Sequence, residues 1–398
     1  MNNNNKEKIV EMYDNYVLKT YSQNLLFTKG KGAILTDSEG IEYLDFSSGI
    51  GVCSLGHCNE TVTVAIQKQA EKLVHTSNLF YNELQPKLAK VISENSIGGK
   101  VFFANSGAEA NEGAIKLARK YGSDKGKYEI ICMEEAFHGR TLATLAATGR
   151  KKYRKGFAPD LEGFIHVPFN DIDAVKKACS DRTIAIMLEP IQGEGGIRIA
   201  DYAFLKAVRD FCDKNDLILI FDEVQSGMGR TGELFAYQHS GVVPDIISMA
   251  KALGNGFPIA AFEVNKKLEN VLTPGTHAST FGGMPLGCAA ALAVFEEFDK
   301  KEILNMCTET GVYLKKELQQ KLQNNSIVKE IRGIGLMIGI EIDGNIQEII
   351  KKVLEKNLII LPSGENVLRL LPPLNITKEE ADKAVNIICN VIENLEKK

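Results

Sequence analysis

Between about residues 100 and 260 short apolar runs alternate with stretches of helical periodicity, and this alternation restricts the fold more than any other feature of the 398 residues. The runs are Lys100–Ala104, 128–133, Thr183–Leu188, 217–221 and 245–249. Runs apolar at nearly every position, not every second one, belong to strands covered on both faces. Between them, 108–121 and Tyr202–Asn215 carry apolar residues at helical spacing. The pattern predicts an α/β unit, a mostly parallel sheet covered by helices.

The rest of the chain reads differently. After Ile303 the spacing predicts a helix over 311–324, a strand pair within 328–342, a helix near 347–356, short strands, and a last helix over 377–396. Thr377-Lys-Glu-Glu380 is a capping box for that helix. The first 60 residues give a helix and a hairpin turning at Gly40 between Ile34-Leu35 and Tyr43-Leu44. A chain of this length exceeds one simple core. The expected division is an N-terminal segment (1–60) joining the small domain, a large domain (61–300), and a C-terminal small α+β domain (301–398). No linker separates the parts, so they are expected to pack closely. The asparagine run at 2–5 is expected to be a frayed end.

Composition narrows the function classes. A net charge of −4 offers nucleic acid or an anionic membrane no electrostatic attraction. No apolar stretch approaches the roughly 18 residues of a membrane helix, and the start lacks a signal peptide's apolar core. The eight cysteines form no CxxC pair and no Cys/His cluster at zinc spacing. They read as small buried hydrophobes of a reducing, cytosolic protein with no metal.

In an open α/β sheet ligands bind at the carboxyl ends of the strands. After the first run comes Asn105-Ser106-Gly107-Ala108, a turn whose N–H groups and helix dipole suit a phosphate, or simply a serine-capped helix start. After the second come Phe137, His138, Gly139 and Arg140, an aromatic to stack on a flat ring and a guanidinium to clamp a carboxylate, or plain core and a solvated charge. The third is followed by Glu189 and Glu194 on a glycine-rich loop, where a glutamate is ordinarily solvated. Asp222 ends the fourth, in a place that buries it, so it needs a cationic or strongly hydrogen-bonding partner. The fifth leads to Lys251, which by itself could be a lysine snorkelling from a strand end, or a desolvated amine for Schiff-base chemistry. Gly227-Met-Gly-Arg-Thr-Gly232 fits the dinucleotide pattern, but it is separated from its strand and lacks the following acid.

Taken together, a phosphate cradle, a stacking aromatic, a buried carboxylate, a basic loop and a strand-end lysine are the parts pyridoxal phosphate requires. The lysine binds the aldehyde, and the aspartate keeps the ring nitrogen protonated.

At this point the residues resemble a known family. Phe221-Asp-Glu-Val-Gln-Ser-Gly-Met-Gly-Arg-Thr-Gly232 and Ser248-Met-Ala-Lys-Ala-Leu-Gly-Asn-Gly-Phe-Pro258 look like the signature of the class III (ω-) aminotransferases, over nearly the whole chain. The branch acting on acetylornithine is the nearest in Leu55-Gly-His57, Phe137-His-Gly-Arg-Thr141, Gln192-Gly-Glu-Gly-Gly196 and Leu368-Arg-Leu-Leu-Pro-Pro373. The resemblance implies a PLP-dependent transferase of fold type I, with its small domain built from both chain ends. It implies that Lys251 carries the cofactor and shuttles the proton, that Asp222 faces the ring nitrogen, and that Gln225 lies near the ring hydroxyl. Phe137 and Val224 would enclose the ring, with Ser106, Gly107 and Ala108 on the phosphate. Thr280 would reach the phosphate of a neighbouring subunit, making a homodimer with shared sites. Arg140 would bind the carboxylate remote from the reacting amine. Arg369 would bind the α-carboxylate of glutamate, Glu194 would neutralise it when the ω-amine is present, and Ser279 would touch substrate.

The implied reaction moves the ω-amine of N-acetylornithine to 2-oxoglutarate; succinylornithine, N-succinyldiaminopimelate, 4-aminobutyrate and ornithine are alternatives. Ala278 and Met284 depart from the usual loop, and Ile50 stands where ornithine aminotransferases carry a tyrosine, which argues against free ornithine. A decarboxylase or aminomutase on the same fold is a second class. A regulator would need a DNA-binding domain for which the roughly 30 residues before the fold leave no room.

Overall fold

The computed structural model of the chain describes residues 3–396. Its centre is a seven-stranded sheet in the order Lys100–Ala104, Ala260–Val264, Ile246–Met249, Ile218–Asp222, Thr183–Leu188, Glu129–Met133, Phe164–Val167. Ala260–Val264 runs antiparallel to both neighbours, and all other pairings are parallel. All five apolar runs are strands of this sheet, and four of these strands are buried at every position. Two strands carry too weak a signature to be read in sequence. Phe164–Val167 is short and contains a histidine, and Ala260–Val264 opens with alanines, which have no strand preference.

Helices Gly107–Gly122 and Tyr202–Asn215 lie where their periodicity puts them. The first packs against Ala260–Val264 and Ile246–Met249. Ser106 caps it, accepting from Glu109 N–H at 3.2 Å.

The chain ends build two further sheets. Leu35 faces Tyr43 and Ile34 faces Leu44 in the hairpin, and Leu44 also pairs in parallel with Leu358. Val328–Ile334, Met337–Ile342, Val367–Leu370 and Leu361–Ser363 form an antiparallel sheet packed by Ile303–Leu322 and Ile346–Leu354, against which Lys378–Glu396 lies. The capping box of the last helix is made, Thr377 Oγ1 accepting from Glu380 N–H at 3.2 Å and Glu380 Oε2 from Thr377 N–H at 2.8 Å. Ile303–Leu322 begins a full two turns before the expected start, because Gly311 sits inside the helix against Gly335 and does not mark a boundary. The asparagine run also departs from expectation. Asn3–Tyr16 is helical, since the charged residues after the run favour helix, whereas Met1 and Asn2 lie outside the described residues.

The glycine-rich stretch 227–232 is structural. Arg230 is fully buried there and donates to the carbonyl oxygens of Leu336 (3.1 Å) and Pro372 (2.5 Å), tying the central sheet to the chain's end. Among the described residues no helix is long and apolar enough to cross a membrane, and no group of three or more His, Cys, Asp or Glu could hold a metal. All eight cysteines are free.

His57 fastens the hairpin to the body. Its Nε2 lies 2.8 Å from Asp45 Oδ2, and its backbone pairs with Gly32. The Asp45 hydrogen bond, with Cys53 adding to it and burial opposing, raises the imidazole to about 10. A folded-state pKa above the unfolded value near 6.5 stabilises fully below that value, and the gain is lost as pH rises towards 10. Urea midpoints of wild type and His57→Gln should therefore differ most near pH 6 and converge by about pH 10.

Candidate active site

Six of the seven strands point their carboxyl ends the same way, and the antiparallel Ala260–Val264 brings its leading residues, Pro258 and Ile259, to that same edge. A cavity of about 420 Å³ opens there, lined by Ser106, Phe137, Asp222, Val224 and Lys251 among others. The ends of the five strands thus each contribute a residue to a single place.

Asp222 forms its floor. It is 4% exposed, and its Oδ2 accepts from Asn111 Nδ2 at 2.7 Å and lies 2.8 Å from His138 Nδ1. Its Oδ1 accepts from Val224 N–H at 3.0 Å. Asn111 in turn accepts from Ser248 Oγ at 2.6 Å and donates to the His138 carbonyl at 2.8 Å. Burial works against charging His138, but the Asp222 hydrogen bond and charge outweigh it, and the imidazole pKa lies above its ordinary value. The expected partner of Asp222 is therefore present within the chain, as a histidine and an asparagine.

Lys251 follows Ile246–Met249 directly and has φ of 47°, a left-handed conformation that a non-glycine residue holds only where its surroundings enforce it. Its amine has no hydrogen-bond partner among the described residues. Burial lowers its pKa, the nearby Glu194 carboxylate opposing, so the neutral amine is more populated than in a free lysine.

Glu189 is a correction to the solvated loop glutamate expected from sequence. It is buried, and accepts from Phe137 N–H at 2.9 Å and Gly193 N–H at 3.2 Å. Burial pushes it up to about 7. It fixes the loop carrying Phe137 to the loop carrying Glu194.

Glu194 and Arg369 form an ion pair although 175 residues separate them. Arg369 comes from strand Val367–Leu370, is 3% exposed, and also donates to Gln225 Oε1 at 3.0 Å and to the Gly193 carbonyl at 2.9 Å. Burial opposes the Glu194 charge, but Arg369 outweighs it and holds the carboxyl below the ordinary range. Arg140 lines the cavity, exposed, and has no carboxylate partner among the described residues.

Ser106, Gly107, Ala108, Phe137, Arg140, Asp222, Val224, Gln225 and Lys251 all meet at the cavity, with Glu194 and Arg369 joined to it through Gln225. Ser279 and Thr280 do not line it. Ser279 Oγ accepts from Gly282 N–H at 3.0 Å, and Thr280 is exposed. Asn111, His138 and Glu189 were not singled out by the sequence argument as site residues. Asn111 carries a usable signal, being a polar residue on the apolar stripe that continues through Ile115 and Ala118.

The helix end at Gly107 tests whether the cavity suits a phosphate-bearing aromatic ring. The first-turn N–H groups of Gly107 and Ala108 have no acceptor within the helix. A Cβ at Gly107 would stand 2.7 Å from Val224 Cγ1, so only glycine brings this cradle against the wall residue. Cradle, wall, buried carboxylate and an amine whose pKa burial lowers all fit pyridoxal phosphate.

A family model described as aminotransferase class-III matches residues 17–392. The chain is 54% identical over 385 residues to an acetylornithine aminotransferase of Caldanaerobacter subterraneus subsp. tengcongensis, covering 96% of this chain and 98% of that protein. It is 49% identical to that of Methanocaldococcus jannaschii, covering 98% and 100%. Among solved structures, the ornithine aminotransferase from Toxoplasma gondii, described with partial occupancy of PLP at its active site, superposes with a TM-score of 0.94 at 33% identity, covering 99% of this chain and 96% of that one.

Proposed function

From the premise that the chain belongs to the class-III aminotransferases, we propose that it transfers the ω-amine of N-acetylornithine to 2-oxoglutarate, giving N-acetylglutamate 5-semialdehyde and glutamate, a step of arginine biosynthesis. The chain is a pyridoxal-phosphate-dependent aminotransferase of fold type I. When bound, this cofactor supplies a protonated ring that takes up the electron pair left as the substrate carbon loses its proton.

The chain's own residues divide the work. Ser106, Gly107 and Ala108 hold the phosphate at the helix N-terminus. Phe137 and Val224, on the cavity wall, would enclose the ring, and Gln225 would meet its hydroxyl. Asp222, fixed by Asn111 and His138, keeps the ring nitrogen protonated. The Lys251 amine would hold the aldehyde and, once released, would carry the proton to and from the substrate carbon.

The observation that carries the substrate reading is the unequal state of two arginines. Arg369 is closed off by Glu194 while Arg140 has no carboxylate partner among the described residues. An ω-amine substrate then places its remote carboxylate on Arg140, and Glu194 keeps Arg369 occupied. Glutamate brings a second carboxylate close to the reacting amine, displaces Glu194, and pairs with Arg369 bidentately. Such an exchange lets one cavity accept an amine end and an amino-acid end in turn.

The wider reading is a cytoplasmic homodimer with shared sites, in which Thr280, exposed here, reaches the partner's phosphate, and Ser279 touches substrate. The chain divides into the segment 1–60, a cofactor domain 61–300, and the C-terminal domain 301–398.

The test is a screen of amine donors against 2-oxoglutarate, read as glutamate formed. N-acetylornithine should give the highest kcat/KM. A preference for ornithine, the substrate class of the Toxoplasma relative's name, or for 4-aminobutyrate would overturn the substrate assignment. Gly107→Ala should weaken cofactor binding about tenfold or more, since a methyl 2.7 Å from Val224 pushes cradle and wall apart. Cofactor titration followed by protein fluorescence reads this.

A further inference from the structure

We propose that Tyr153 is a positioning residue for the amino-donor half-reaction, its ring being the platform that holds the Arg140 guanidinium at the cavity mouth. This rests on the assignment of Arg140 to the remote carboxylate and deepens it.

An exposed arginine has many rotamers to lose when it binds, and a clamp that must be ordered each time binds weakly. No hydrogen bond or ion pair orders Arg140 among the described residues; aromatic faces do. Its Cζ lies 3.9 Å from the centroid of the Tyr153 ring and 5.4 Å from that of Phe137. The two rings meet edge to face, 5.8 Å apart at 85°. Arg140 therefore sits in an angle between the residue that encloses the cofactor ring and a second ring from a separate segment.

Tyr153 is itself held. Arg150, 3% exposed, places its Cζ 5.1 Å from the ring centroid and its Nη1 3.4 Å from Tyr153 Oη. The same Nη1 donates to the Glu194 carbonyl at 2.6 Å, and Arg150 Nε lies 3.2 Å from Glu135 Oε2. Of the two guanidinium groups at this ring, the buried one is neutralised by Glu135 and only Arg140 is free to meet an incoming carboxylate. Stacking leaves the edge N–H groups of a guanidinium available, which a bidentate clamp needs. Through the Arg150–Glu194 hydrogen bond the platform is also tied to the backbone of the Glu194 loop, so the two carboxylate-recognising parts of the cavity are braced against each other.

The test compares N-acetylornithine with N-acetyl-1,4-diaminobutane, the same acylated chain without the carboxylate, as donors for the holoenzyme. Tyr153→Leu should raise KM for N-acetylornithine about five- to tenfold, the scale of a lost cation–π contact and lost ordering, with kcat within about twofold. Its kinetics with N-acetyl-1,4-diaminobutane should match wild type, and Tyr153→Phe should restore the lower KM because the ring remains. Should Tyr153→Leu not fold, Tyr153→Met gives the same comparison. Equal losses for both donors, or weaker cofactor binding, would show Tyr153 to be packing for Phe137 and overturn the proposal. If Arg140→Ala raises KM for N-acetylornithine and Tyr153→Leu does not, the positioning role alone fails. If Arg140→Ala leaves that KM unchanged, the carboxylate assignment fails and the platform with it.

Discussion

Replacing Lys251 with alanine is expected to abolish turnover, with kcat falling by about 10⁴-fold or more, because one amine both anchors the cofactor and moves the proton. The visible absorption of a lysine-bound cofactor should vanish with it, whereas pyridoxal phosphate still binds through the cradle at Ser106–Ala108 and the carboxylate of Asp222. The fold should survive, since Lys251 makes no hydrogen bond whose loss strands a buried partner. Borohydride reduction of the wild type followed by peptide mapping would locate the modified residue. Modification elsewhere, or a variant keeping the visible band, would refute the assignment. Alanine also prefers not to adopt the φ of 47° found here, so a modest drop in thermal stability is compatible with the role.

The second large effect is at Asp222. Asp222→Ala should cost about 10³-fold in kcat, as a buried charge set where the ring nitrogen must stay protonated is an electrostatic contribution that water cannot replace. It also leaves His138 and Asn111 facing an empty position, and breaking such a buried pair costs about 3–5 kcal/mol of stability. Asp222→Asn separates the two effects. It keeps a hydrogen-bonding group against Asn111 and Val224 N–H but removes the charge, so activity should fall nearly as far while the unfolding midpoint recovers in part. Activity within tenfold of wild type in Asp222→Asn would remove the carboxylate from the mechanism.

The parts of the site legible in sequence are those whose position along a strand carries chemical information. A lysine or aspartate ending a run of buried apolar residues is out of place unless something requires it, and both Lys251 and Asp222 stand that way. Neither Asn111, marked only as a polar residue on an apolar helix stripe, nor His138 ends such a run. One lies inside an amphipathic helix, the other in a loop where imidazole is unremarked, and only the tertiary structure brings them to within 2.8 Å of Asp222. Glu189 misleads for the opposite reason: a glutamate between a strand and a proline reads as solvated, yet it caps two loop N–H groups in the interior. Tyr153 lies in Arg150-Lys-Lys-Tyr-Arg154, whose charges read as surface. Of the sheet, the strands carrying large apolar residues at nearly every position were legible, while Phe164–Val167, broken by a histidine, and Ala260–Val264, built from alanines and a glutamate, depend on neighbours that local sequence does not encode.

The antiparallel strand has a consequence for how this protein is made. Lys100–Ala104, which leads into the phosphate cradle, pairs with Ala260–Val264 alone. Its partner is synthesised about 150 residues later, so the nascent chain carries the cradle segment unpaired while most of the sheet is already available to fold. At roughly 5–20 residues per second of translation, that interval lasts on the order of ten seconds. The phosphate cradle is thus joined to the rest of the sheet late, when Ala260–Val264 comes in between Lys100–Ala104 and Ile246–Met249.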